Sequence, residues 1–116
     1  MAEHYGIIIP TPPTLAKYAL TEDDWKAHLE EQMRWWDSAV GVCGECGKVP
    51  GPKRLHIDHA HVRGWKVMKP AERKQYVRGL ICYMGNKFRL ARGSNIENLQ
   101  GAADYLRRYE ARRANA

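Results

Sequence analysis

His56-Ile57-Asp58-His59-Ala60-His61 gathers three of the chain's five histidines around one aspartate within six residues. Leu55 to Asp58 reads as a short strand, and a basic, irregular stretch from Val62 to Gln75 follows it. Tyr76 to Cys82 is a second β-rich run. Three chemistries compete for the hexapeptide. It has ligands enough for zinc, but they crowd together and alternate faces in a regular strand. As a structural cluster, its histidines would cap strand ends. As a hydrolytic site, Asp58 gives a hard oxygen ligand and His59 an imidazole base, provided that the strand ends or bulges so that neighbours converge.

Outward from this stretch lies a cysteine pattern. Cys43 and Cys46 form a C-x-x-C turn punctuated by Gly44 and Gly47, and Cys82 lies well downstream. A glycine-rich turn aims two thiolates at one tetrahedral zinc, whereas a redox C-x-x-C continues into a helix that Val49-Pro50-Gly51-Pro52 forbids. A second C-x-x-C is expected for a closed zinc site. The chain reads Cys82-Tyr83-Met84-Gly85 instead, which leaves the site one ligand short: a water or a nearby histidine completes it, in preference to an empty but folded site or a chain leaning on a dimer partner for stability.

The 116 residues are one domain's worth of sequence. The expected division is an extended N-terminal arm over 1–13 with no core of its own, a single domain over 14–110, and a basic tail over 111–116. Thr21 should cap a helix carrying Leu20, Trp25, Leu29, Met33 and Trp36 inward and ending near Gly41. A short helix is expected near Asn86. A last helix should begin at Ser94, with Glu97 in capping-box spacing, and turn Ile96, Leu99, Ala103 and Leu106 inward.

Charge is divided unevenly. Residues 1–47 hold three Lys/Arg against eight Asp/Glu, and residues 48–116 hold sixteen against five. The basic part would attract a polyanion, with nucleic acid the commonest candidate. Arg54, Arg63, Lys66, Arg78, Lys87 and Arg89, within a basic span reaching Arg92, are the residues expected to hold phosphates. No apolar run suits a membrane span and the N-terminus lacks a signal-peptide pattern, so the expected location is the cytoplasm.

The order of these motifs resembles the phage recombination endonuclease VII family, nucleases of the His-Me finger, HNH-like class. The resemblance spans about Pro12 to Tyr109 and rests on D-H-x-H at 58–61 with V-R-G-L-I-C at 77–82 and Asn86; residues 15–20 and the tryptophan-bearing helix also look like that family's N-terminal segment. It implies an α+β fold with a ββα-metal core over about 54–92, a zinc-knuckle-like cysteine site and flanking helices. It implies Asp58 and Asn86 as ligands of a catalytic Mg²⁺ or Mn²⁺, His59 as general base and His61 at the phosphate. Cys43, Cys46 and Cys82 match three ligands of a structural Zn²⁺, and Gly85 stands where the fourth cysteine belongs. No carboxylate follows Asn86 of the kind some members carry.

The implied activity is that of an endodeoxyribonuclease on branched DNA, resolving or debranching four-way (Holliday) junctions in phage DNA metabolism. Family members act as intertwined dimers, so a homodimer joined through the helices at 21–40 and 94–110 is expected. The alternatives are a general nicking HNH endonuclease and a catalytically silent zinc-knuckle DNA-binding protein.

Overall fold

The computed structural model describes residues 2–90 and 94–115. Arg92, one of the basic residues of the sequence reading, and the end of the 54–92 segment therefore lie outside the described residues. The elements form a small α+β fold with two separate two-stranded antiparallel sheets.

The N-terminal segment is not a coreless arm. Strands β1 (Glu3–His4) and β2 (Ile7–Ile8) form a hairpin, with Tyr5 at φ 50° and Gly6 at φ 86° making the turn. Two consecutive positive φ values match the right-handed twist of paired strands, which explains glycine in the second place. The hairpin drives Ile7 into the core at 1% exposure, and Ile8 N–H donates to Lys53 O at 2.8 Å. The prolines end the hairpin and begin α1 (Pro12–Ala16), since proline suits a helix's first turn.

Helix α2 (Glu22–Trp35) starts at the expected cap: Thr21 Oγ1 accepts from Asp24 N–H, and Asp24 Oδ2 accepts from Thr21 N–H. Trp25, Leu29 and Met33 fill the core beside Leu20. The helix stops at Trp35, well short of Gly41. Asp37 takes the left-handed conformation (φ 51°), Ser38 N–H reaches Met33 O and Asp37 N–H reaches Arg34 O. This satisfies the last carbonyls with aspartate where glycine is usual. Trp36, expected inward, is 41% exposed and donates its indole N–H to Gly44 O at 3.0 Å.

Strands β3 (His56–His59) and β4 (Val77–Ile81) pair antiparallel with Leu80 at 0% exposure. The register runs Asp58 to Gly79 and then His59 to Val77, so Arg78 is an extra residue in a β-bulge. A 3₁₀ turn (Trp65–Val67) and α3 (Pro70–Lys74) interrupt the connecting loop, and a π-helical turn (Gly85–Arg89) follows β4.

Gln32 ties these parts together. Its Nε2 donates to Val42 O at 3.1 Å and Leu80 O at 2.9 Å, while its Oε1 accepts from Leu80 N–H at 2.6 Å. One side chain thus joins α2, the cysteine turn and β4.

Helix α4 (Ile96–Ala114) departs most from expectation. Asn95 rather than Ser94 caps it, through Asn98 N–H, and Ser94 donates to Arg89 O instead. No α4 residue is buried: Ile96 is 82% exposed and Leu106 58%. Its apolar stripe exists, but among the described residues no element covers it. No helix of the described residues is long and apolar enough to cross a membrane.

Candidate functional site

The turn after α2 and the end of β4 bring the cysteines together. Gly47 N–H closes the turn on Cys43 O at 2.9 Å, and Gly47 itself needs a positive φ (75°) there. The Cys43 sulfur accepts from the N–H groups of Glu45, Cys46 and Cys82 at 3.3, 3.5 and 3.2 Å. The Cys82 sulfur accepts from Gly85 N–H at 3.4 Å and Arg89 Nη2 at 3.3 Å. Such N–H donors favour thiolate over thiol. Burial pushes the Cys43 thiol up to about 11 against that help. Burial also opposes ionisation of Cys82, but the Gly85 N–H, the other sulfurs and the Arg89 charge bring it below the ordinary value. Cys46 and Cys82 sulfurs lie 4.0 Å apart, and all three cysteines are free.

The Glu45 carboxylate stands beside the cysteines, so one ligand atom from each of Cys43, Glu45, Cys46 and Cys82 lies within 4.8 Å of the others. This set could hold a metal such as zinc. The carboxylate in Cys43-Gly44-Glu45-Cys46 was the signal for this arrangement available in the sequence.

The histidine hexapeptide divides its side chains among three surfaces. The His59 ring stacks on Trp65 at 3.8 Å between centroids and 6° between planes. Tyr18 lies 6.2 Å away and His61 5.5 Å away. Arg73 covers Trp65 from 5.1 Å, and its Nε donates to Trp65 O. Burial, followed by the neighbouring His61, holds the His59 pKa below 6.5, although Asp58 pulls the other way. His59 is consequently a neutral imidazole at neutral pH. His59, His61, Arg63, Trp65 and Lys66 line one cleft of about 500 Å³.

Asp58 is 4% exposed and gives both oxygens to Arg78, at 2.8 and 3.0 Å. The bulge at Arg78 makes this possible, because it leaves a guanidinium opposite the aspartate. Asn86 stands on the π-helical turn in another cleft, of about 310 Å³, with Tyr18, Arg54 and His56. The structure therefore brings His59 to His61, Asp58 to Arg78, and Asn86 to His56. Tyr18 touches the His59 ring and lines the Asn86 cleft, bridging two of the three.

The basic residues differ in surroundings. Arg63 and Lys66 flank His59, Arg54 flanks Asn86, and Lys87 sits over the Tyr83 ring at 5.8 Å. Arg78 and Arg89, though exposed, are already paired within the chain, by Asp58 and by Glu45 with Cys82. Sequence reasoning missed Trp65, Tyr18, Gln32 and Glu45, whose roles depend on contacts across the fold.

Compared with known proteins, the chain matches the family model for recombination endonuclease VII over residues 14–108. No curated protein and no solved structure matches it.

Proposed function

The chain belongs to the recombination endonuclease VII family, and from that membership we propose that it is a metal-dependent endodeoxyribonuclease cutting phosphodiesters in branched DNA. The observation that carries the reading is His59: a half-buried imidazole kept neutral by burial and held flat against Trp65. A general base needs that protonation state and that fixed orientation.

In this reading, β3, β4 and the π-helical turn are the ββα-metal core over about 54–92, within a single nuclease domain over 14–110 to whose core the N-terminal hairpin adds Ile7. His59 takes a proton from the attacking water. His61, Arg63 and Lys66, beside it in the same cleft, hold the scissile phosphate and its neighbour. Asp58 and Asn86 carry hard oxygen donors of the kind that hold Mg²⁺ or Mn²⁺, and because they line separate clefts here they would have to turn toward one another to share a cation. The chemistry such a cation supplies is stabilisation of charge on the phosphate and on the leaving oxygen. An ionised carboxylate offers about four lone-pair sites, so Asp58 can keep Arg78 and still ligate. Arg78 then fixes the orientation of Asp58 rather than holding DNA. Arg54, Lys87 and Arg89 extend the basic surface. Two copies would pair through α4, whose apolar residues lie open; α2 already spends its apolar face on the core.

One observation favours a second reading. Both Asp58 oxygens are taken by Arg78, as suits a DNA-binding protein that no longer cuts. Cleavage of a four-way junction and of a linear duplex, with Mg²⁺ and with chelator, separates the two. Metal-dependent cutting of the junction is expected; junction binding without cleavage in either Mg²⁺ or Mn²⁺ would leave the silent reading standing.

A further inference from the structure

Glu45 carries an anomaly. Its Oε1 is buried and has no hydrogen-bond partner, one of two such side-chain atoms among the described residues. The other, Trp25 Nε1, sits in the apolar core, whereas Glu45 belongs to a cluster with three cysteines. A buried carboxylate oxygen without donor or cation leaves its desolvation uncompensated. Its partner oxygen is satisfied: Oε2 accepts from Arg89 Nε at 2.6 Å. The carboxylate is thus split, with one oxygen anchored and the other buried without a partner.

A second observation concerns Gly85. A Cβ built there would lie 2.7 Å from Glu45 Oε1 and 3.4 Å from Cδ. The space that a side chain at 85 would enter is the space that the Glu45 carboxylate fills. The two features are complementary: the residue without a side chain faces the carboxylate without a partner.

We propose that Glu45 is the fourth ligand of a Cys43, Glu45, Cys46, Cys82 zinc centre, standing in for the side chain that Gly85 lacks, with Arg89 as the group that positions it. The spacing agrees. Zn–S bonds of about 2.3 Å arranged tetrahedrally put sulfurs about 3.8 Å apart, and Cys46 and Cys82 lie 4.0 Å apart. Charge agrees also. Three thiolates and a carboxylate over-neutralise Zn²⁺, and Arg89, touching both Glu45 and Cys82, offsets part of the excess. The sequence supplies three ligands from one four-residue turn, so only Cys82 need arrive from the strand. This inference does not depend on whether the protein cuts DNA.

The test uses the full chain and zinc alone. X-ray absorption at the zinc edge of the wild type should show three sulfurs at about 2.3 Å and one oxygen at about 2.0–2.2 Å. Zinc affinity, measured by chelator competition, should fall at least about 100-fold in Glu45→Ala, the upper end of what losing even an outer partner costs, and about 10-fold in Arg89→Ala. Gly85→Cys alone should gain nothing, because its side chain meets Glu45. The double variant Glu45→Ala/Gly85→Cys should regain wild-type affinity with four sulfurs around the metal. The proposal fails if the wild-type shell holds a nitrogen in place of that oxygen, if folded wild type binds no zinc, or if Glu45→Ala keeps full affinity. It also fails if Gly85→Cys tightens zinc equally with and without Glu45. Should Glu45→Ala not fold, Glu45→Gln replaces it in the chelator competition, with the same loss expected and full affinity overturning the proposal.

Discussion

Gln32→Ala removes a clasp whose cost can be worked out bond by bond. Three hydrogen bonds disappear, two to carbonyls and one from Leu80 N–H, each worth about 0.5–1.5 kcal/mol net. Water can reach part of the site, since Gln32 is only half-buried, and Leu80 O keeps its bond from Gly44 N–H at 2.9 Å. Leu80 N–H has no such reserve: the residue is fully buried, and an orphaned buried donor costs about 1–3 kcal/mol. The expected loss is about 2–4 kcal/mol, a substantial share of the stability of a domain this size. With a urea m-value of about 1–3 kcal/mol/M, the midpoint should fall by roughly 1–2 M. Equilibrium urea unfolding, with chelator and with zinc, measures it. Gln32→Glu should lose at least as much, because an oxygen would then face the carbonyls of Val42 and Leu80. A midpoint shift below about 0.3 M in the alanine variant, or a near-wild-type Gln32→Glu, would refute the clasp. Because Val42 precedes Cys43 and Leu80 lies two residues before Cys82, weaker zinc binding should accompany the loss.

His59→Ala should lower junction cleavage by about 10²–10⁴-fold while DNA affinity changes only a few-fold; near-normal cleavage would remove His59 as the base. Trp65→Ala exposes the His59 ring and lifts the burial that depresses its pKa, so the acid limb of the cleavage profile should move to higher pH. An unmoved profile would make Trp65 merely structural. Asp24 is held down to about 2 by Thr21 N–H, and then by Lys74 and the Thr21 hydroxyl, against an ordinary 3.8. Because that folded-state pKa is depressed, the stability Asp24 gives is present above 3.8 and is lost as pH falls towards 2. Asp24→Asn should flatten acid unfolding in this window, and parallel curves for the two proteins would contradict the cap's role. DNA binding should weaken steeply between about 50 and 200 mM salt as counterions are released, and a flat dependence would mean that the basic surface holds no phosphates.

Local chemistry was legible in the sequence. The Thr21 cap needs only Asp24 three residues on, and the C-x-x-C turn needs only its own glycines. The strands around His56–His59 and Val77–Ile81 also announce themselves, because β-rich runs set off by breakers are local patterns. Motif order sufficed for the family. Even some ends were hidden, though: the stop of α2 rests on Asp37 adopting a left-handed conformation that glycine usually marks.

What the chain could not announce is which side chains meet across the fold. Gln32 reaches Leu80 48 positions away, and Arg89 reaches Glu45 44 positions away. Both contacts depend on how α2 and the cysteine turn sit against β4. The bulge between Asp58 and His59 sends Arg78 onto Asp58, and a strand one residue out of register would point it elsewhere. The α4 stripe shows the same limit from the other side. Periodicity marks an apolar face, but only the tertiary structure shows whether a surface covers it. Side-chain type and spacing are written in the chain, whereas what stands beside the cysteines is set by space: Gly85 leaves room there, and the Glu45 carboxylate lies in it.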